Sequence, residues 1–350
     1  MAEKTYTEQQ NIKYKKKLNE LLDILPDFST QYFDSLEFNK QPRTKVAYAM
    51  DIKGFFEFLI ECIPKFSSYA MKDFKPQDLE KINGTDITRY LRHVKLYKKN
   101  GRDITNSESA AKRKLCALRR FYEYYCRYEI ISLNPTIKVD MPKIHEKAII
   151  RMEPNEVAEF LDNVESGNKL TKTQLQSHEK LKTRDLALLT LMLGTGIRVS
   201  ECVGLDLQDI DFKNNGITVT RKGGNQMVVY FGEEVENALK TYLYTTRKQT
   251  IPLSGHENAL FLSTQRKRMG VQAVENMVKK YAREVTPNKK ITPHKLRSTY
   301  GTALYKETGD IYLVADVLGH KDVNTTKKHY AAIDEDRRRQ AAGAVKLREV

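Results

Sequence analysis

The chain has 350 residues, enough for two ordinary cores. Hydrophobic residues make up 40% and aromatics 9%, which excludes a disordered composition. Lys and Arg number 60 against 45 Asp and Glu, and the resulting +15 favours an anionic partner, with nucleic acid, an acidic surface and simple basicity all open.

No apolar run reaches the roughly 18 residues of a membrane span, so no membrane partner is expected. "MAEKTYTEQQNIKYKKKL" lacks an apolar core, so no signal peptide is expected either. Cys62, Cys116, Cys126 and Cys202 show no CxxC pairing and read as reduced thiols of a cytoplasmic protein. No cluster of Cys, His and carboxylates stands out, so neither a metal nor a cofactor is expected.

In chain order, residues 7–24 read as a polar helix within a charged arm, 1–28, expected to be solvated. Over 44–61, Ile52, Phe55, Phe56, Leu59 and Ile60 share one helical face. Helices are expected at 86–98 and 109–128, the second burying Leu115, Leu118, Phe121 and Tyr125. Residues 89–128 hold twelve Lys or Arg against three acids. Arg92, Lys95, Lys99, Lys112, Arg113, Arg119 and Arg120 would lie on the outer faces of those two helices. A solvated face and a phosphate-tracking surface are both open readings of them. Pro135 and Pro142 mark a linker, 135–149, between a helical domain over 29–134 and a second domain over 150–350.

Beyond the linker, helices are expected at 154–163, 183–193 and 198–205. "GITVTRKGGNQMVVYF" breaks the helical pattern with β-formers around Gly-Gly and reads as a hairpin. Helices at 233–246 and 271–284 follow. Thr292 and Pro293 start another, Gly309 stops it, and 311–318 forms a short apolar helix. Asn324 would cap a last helix carrying Tyr330. The stretch 164–183 yields no mechanistic reading. The fold class is therefore mainly α with a small β-hairpin sheet.

Chemistry-bearing residues gather in this second half. His294 and Arg297, at i and i+3, share a helix face near its N-terminus, where anions are favoured. "GTGIRVSE" turns through two glycines into a helix with Arg198 and Glu201 at i and i+3, and a guanidinium fork suits phosphate. Lys222 sits at the hairpin tip, where a lysine can donate a proton to a leaving oxygen. A phenol such as Tyr330 attacks only where its phenolate is stabilised. Each piece taken alone reads first as a surface residue of a basic protein.

Their order carries more. Arg-x-x-Glu, a hairpin Lys, His-x-x-Arg, Gly-His and Tyr succeed one another over residues 198–330. This succession resembles the tyrosine recombinase (phage integrase) family and, within it, the Xer-type site-specific recombinases. "TGIRVSECVGLDLQDID" is similar to the family's first-arginine box, "TPHKLRSTYGTAL" to its His-x-x-Arg box, and "VLGHKDVNTTKKHY" to its Gly-His and tyrosine box. The likeness extends over residues 30–335, with 35–61 and 109–139 resembling a helical, SAM-like core-binding domain ahead of a mixed α/β catalytic domain.

The resemblance implies roles for single residues. Arg198 and Arg297 would hold the scissile phosphate, and Lys222 would protonate the leaving 5′-oxygen. His294 would act in acid–base catalysis or contact the phosphate, and His320 would hydrogen-bond a phosphate oxygen. Tyr330 would attack phosphorus to form a 3′-phosphotyrosyl link, and Glu201 would support as a carboxylate. The resemblance also implies double-stranded DNA with a specific recombination site as partner, a homotetramer on that DNA, a Holliday junction and a nucleoid-associated location. Whether a second recombinase or an accessory protein takes part stays open. A monomeric type IB topoisomerase-like enzyme and a non-catalytic DNA-binding relative are the alternatives. Many family members carry Gly-Lys-Gly at the hairpin, where this chain has Arg221-Lys222-Gly223.

Overall fold

A computed structural model describes residues 5–99, 101–144, 149–221, 224–320 and 322–323. The chain divides into two compact units, Met1–Lys147 and Ala148–Val350.

The first unit is built from helices α1 (Tyr6–Ile24), α2 (Ser29–Ser35), α3 (Pro42–Cys62), α4 (Gly84–Lys95) and α5 (Glu108–Arg127), with a two-stranded ribbon, β1 (Leu96–Lys99) and β2 (Arg102–Thr105), between α4 and α5. Its core is aromatic. Phe28 meets Phe56 edge-on at 6.3 Å and Tyr125 at 5.3 Å, and Tyr32 meets Phe121 at 5.2 Å. Such pairs add to the area their rings bury. Tyr125 keeps its hydroxyl satisfied by donating to the Phe28 carbonyl at 2.9 Å.

Two expectations need correction here. The helix expected over 86–98 ends at Lys95 and passes into β1, because Leu96 takes an extended backbone with ψ 115°. Lys99 therefore belongs to a strand, paired with Arg102, rather than to a helix face. The Asn100-Gly101 dipeptide between the strands favours a tight hairpin, and Gly101 takes the positive φ of 74° that such a turn needs. The N-terminal helix is also more than a solvated arm. A Thr5–Glu8 capping box starts α1, its Leu18 is buried, and Leu21 and Leu22 pack on the same core.

The second unit contains α6 (Pro154–Ser166), α7 (Lys172–Thr195), α8 (Val199–Gly204), a three-stranded antiparallel sheet ordered β3 (Ile210–Asp211), β4 (Gly216–Thr220) and β5 (Gln226–Tyr230), then α9 (Glu233–Tyr242), α10 (Val271–Val285), α11 (Pro293–Thr308) and α12 (Ile311–Leu318). Mainly helical structure with small β-sheets is thus the observed class. The C-terminal half of α7 is apolar nearly all round, with Ala187, Leu188, Leu189, Leu191 and Met192 fully buried, as a central helix requires. Beside them the buried Asp185 accepts from Arg184 Nε at 3.0 Å and from the Tyr281 hydroxyl at 2.9 Å, so that its charge is paired.

The stretch 164–183 now has a structural account. It is the end of α6, a turn through Gly167 at φ 71°, and the first turns of α7. That helix begins well before the expected 183, at a capping box between Thr171 and Gln174. His178 fastens the turn by donating from Nε2 to the Val164 carbonyl at 3.0 Å.

Candidate active site

The site is assembled from the ends of α7 and α12, the start of α11 and the loop of the β4–β5 hairpin. α7 closes on two glycines with different tasks. A side chain at Gly194 would run into Val235 of α9. Gly196 takes a left-handed φ of 63°, and a side chain there would strike the Tyr300 ring and Leu318. The chain then enters α8 with Arg198 as its N-cap. The buried Glu201 accepts twice from that one residue, from its main-chain N–H at 2.8 Å and from Nη1 at 2.8 Å. One carboxylate therefore caps the helix and aims the guanidinium.

α11 starts where Thr292 and Pro293 indicate, although the threonine side chain makes no capping bond. His294 is exposed on the first turn, and Arg297, one turn on, is buried. Arg297 spans two elements. Its Nη1 donates to the Gly196 carbonyl at 2.5 Å and its Nη2 to the Leu318 carbonyl.

α12 ends in a Schellman turn. Gly319 adopts φ 62° and ψ 50°, its N–H donates to Asp316 O at 2.7 Å, and the His320 N–H donates to Ala315 O at 2.8 Å. This is the physical reason for glycine before His320. The turn leaves the carbonyls of Val317, Leu318 and Gly319 without intrahelical donors. Three arginines take them. Arg221 donates from Nη1 to Leu318 O and from Nη2 to Val317 O at 2.9 Å. Arg297 shares Leu318 O, and Arg198 Nη2 reaches Gly319 O at 3.4 Å. The negative end of the α12 dipole favours such cations.

Three guanidinia thus converge beside the Gly319–His320 turn, with Glu201 as the buried carboxylate among them. The excess of positive charge suits a phosphodiester, whose oxygens guanidinium forks match. Burial pulls the Arg221 pKa below the ordinary arginine range; Glu201 pulls it back up and the like charge of Arg198 lowers it further. In the sequence Arg221 is only a departure from Gly-Lys-Gly; in the structure it is half-buried in this cluster. Lys222, Tyr330 and the expected Asn324 cap lie outside the described residues.

On the first unit, Arg92 and Lys95 of α4 and Arg120 of α5 are exposed, and Lys112 is half-buried. Arg113 pairs with the buried Asp51 of α3, which Lys114 also meets at 3.1 Å. Arg119 donates to the Val139 carbonyl at 2.6 Å. These two basic residues therefore already have work inside their own unit. Among the described residues, no cluster of His, Cys, Asp and Glu could hold a metal ion, and no helix is long and apolar enough to cross a membrane.

A family model described as "Phage integrase family" matches residues 151–337. This chain belongs to the phage integrase family. Phage integrases are tyrosine recombinases, enzymes that break and rejoin DNA. A second model, "Phage integrase, N-terminal SAM-like domain", matches residues 29–128. Tyrosine recombinase XerC of Caldanaerobacter subterraneus is 32% identical over 91% of this chain and 85% of its own length. Tyrosine recombinase XerS of Streptococcus mutans is 31% identical over 92% of this chain and 96% of its own. Among solved integrase-family structures, the XerH recombinase bound to its difH substrate matches with a TM-score of 0.62 at 20% identity, covering 87% of this chain and 80% of that one. The Tn1549 transposon integrase in complex with circular-intermediate DNA gives 0.62 at 20% identity, covering 86% and 94%. At those identities the likeness is one of fold.

Proposed function

We propose that this recombinase cuts and rejoins specific DNA sites with Tyr330 as nucleophile. The observation that carries the reading is the convergence of Arg198 and Arg297 on the carbonyls that close α12, directly before His320. Cationic donors fixed in advance around one point suit a phosphoryl group, whose transfer needs positioning and charge neutralisation above all. Arg198 and Arg297 hold the non-bridging oxygens, and His320 donates a hydrogen bond to one of them.

The Tyr330 oxygen then attacks phosphorus as its phenolic proton passes to a base or to water, and the bond to the 5′-oxygen breaks. His294 serves in acid–base catalysis or contacts the phosphate, and Lys222 gives the leaving 5′-oxygen its proton. The 3′-phosphotyrosyl link keeps the energy of the phosphodiester, so a 5′-hydroxyl from a second duplex reverses the chemistry without ATP. Four subunits on two sites exchange one strand pair, pass through a Holliday junction and exchange the other. XerC and XerS among the curated relatives support a Xer-type assignment, and DNA in the matched XerH and Tn1549 structures supports DNA as the partner. A cytoplasmic, nucleoid-associated location goes with that substrate.

The test is a suicide duplex incubated with wild type and Tyr330→Phe in EDTA. Wild type should form a covalent adduct on a denaturing gel, and the variant should bind the duplex yet form none. Adduct from the variant would assign the nucleophile to another residue.

A further inference from the structure

Arg221 has no role in the scheme above, yet its side chain anchors the hairpin loop to α12. The loop runs from the Thr220–Gln226 pair, and Arg221 forms its root. The backbone there is closed on both sides. The Arg221 N–H donates to Asn225 O at 2.7 Å, and its carbonyl accepts from Gly224 N–H at 3.0 Å. The guanidinium crosses to α12, where it bonds the carbonyls of Val317 and Leu318 and also meets Met227 Sδ at 3.0 Å. It lies against Gly319 so closely that a Cβ on that glycine would overlap it. Leu318 O is shared with Arg297, so loop root, helix end and phosphate-holding arginine meet at one atom.

Such an arrangement costs something. The Arg221 Nε is buried and makes no hydrogen bond among the described residues, and Arg198 is a like charge nearby. Capping a helix end would not require a half-buried arginine from a different element; any exposed basic side chain in the last turn serves. What the fork onto two carbonyls gives is a fixed distance between loop and helix. Lys222 is the next residue in the sequence. Resting on Lys222 as the proton donor proposed above, we infer that Arg221 is a positioning residue. Its guanidinium ties the root of the loop that carries Lys222 to the Gly319–His320 turn, holding proton donor and phosphate-binding groups in one frame.

This role predicts a specific defect. Without the tie, phosphate binding by Arg198 and Arg297 persists, but the proton no longer reaches the leaving oxygen in register. A 5′-bridging phosphorothiolate leaves as a thiolate and needs no such proton. The experiment compares single-turnover adduct formation on two suicide duplexes, one with the ordinary scissile phosphodiester and one with the phosphorothiolate, for wild type, Arg221→Ala, Arg221→Lys, Lys222→Ala and Arg198→Ala. Both duplexes are cut by the same preparation, so the rate ratio does not depend on the folded fraction.

Arg221→Ala should lose about 100-fold on the ordinary duplex, the scale of a misplacement of about 1 Å, and recover most of it on the phosphorothiolate. Its ratio should therefore move in the direction of Lys222→Ala and away from Arg198→Ala. Arg221→Lys keeps charge and stem but cannot fork onto two carbonyls, and should share the defect. An undiminished rate in both variants, or a wild-type ratio despite a lower rate, overturns the positioning role. Wild type that forms no adduct on either duplex sinks the Tyr330 reading instead, and this inference with it.

Discussion

Arg221 and Arg297 donate to one acceptor, the carbonyl of Leu318, from two elements far apart in the chain. The shared atom is the end of a helix whose last carbonyls would otherwise be unsatisfied. Both guanidinia thus help to fix the turn that carries His320.

Gly319→Ala tests that turn. The residue takes φ 62°, and an added Cβ would overlap the Arg221 guanidinium. The left-handed backbone alone should cost about 1 kcal/mol. Displacing Arg221 should also slow cleavage, while affinity for the DNA site is retained. Thermal melting, a gel shift and adduct formation on one preparation separate the three effects. Normal cleavage would show that the turn tolerates a shifted Arg221.

Glu201→Gln tests the aim of Arg198. Glutamine can still accept from the Arg198 main-chain N–H, as Glu201 does at 2.8 Å, but it brings no charge to the guanidinium. Arg198 is partly exposed, so solvent screens the lost ion pair, and a stability cost of only about 1–2 kcal/mol is expected. If Arg198 holds the scissile phosphate as proposed, cleavage should fall by about tenfold or more, because a guanidinium that wanders would no longer meet it in register. A fall in stability without a fall in the cleavage rate of the folded enzyme would make Glu201 a helix cap alone.

Much of this architecture is legible in the sequence, and the exceptions have physical causes. The stripes of α3 and α5 repeat with helical spacing, so Phe55, Phe56, Leu115 and Phe121 announce their burial. Gly196, Gly309 and Gly319 mark helix ends for the same local reason. The ribbon after α4 was hidden because Leu96 and Tyr97 continue an acceptable helical pattern, although Asn100-Gly101 carried the turn signal. The early start of α7 was likewise written in Thr171 and Gln174 but masked by the polar residues that follow. Arg221 is different. Its acceptors at Val317 and Leu318 come to it only through tertiary structure, and nothing local distinguishes it from a solvated hairpin arginine.

His178 should make stability sensitive to acid. Its ring is fully buried, Nε2 donates to Val164 O, and Nδ1 has no hydrogen-bond partner among the described residues. Protonation would place a charge at that buried nitrogen, and burial, followed by the positive charge of Lys280, holds the imidazole pKa below its ordinary value. The folded state therefore prefers the neutral ring. Its contribution is complete above the unfolded histidine pKa of about 6.5 and is lost as pH falls through the lower folded value. The thermal midpoint should drop on going from neutral to mildly acidic buffer, and by less in His178→Gln. An equal drop in both proteins would assign the acid sensitivity to other groups.

The basic residues of the first unit should divide into two classes. Arg92 and Lys95 are exposed on α4, close to the basic ribbon that follows it. Arg119 instead donates to Val139 O and is partly buried, and Arg113 neutralises the buried Asp51. If the exposed pair contacts phosphates, Arg92→Ala and Lys95→Ala should each weaken DNA binding about equally for specific and unrelated duplexes. Each should also reduce the slope of log affinity against log salt by about 1, since one released counterion is lost per contact. Arg119→Ala should leave that slope nearly unchanged and lower the thermal midpoint, because it deprives a carbonyl of its donor. Arg113→Ala should act in the same way through Asp51, moderated by Lys114, which still faces that carboxylate at 3.1 Å. Binding isotherms over a salt series, with a melt for each variant, distinguish the classes. A full loss of slope in Arg119→Ala with an unchanged melt would move that residue from the scaffold to the DNA interface.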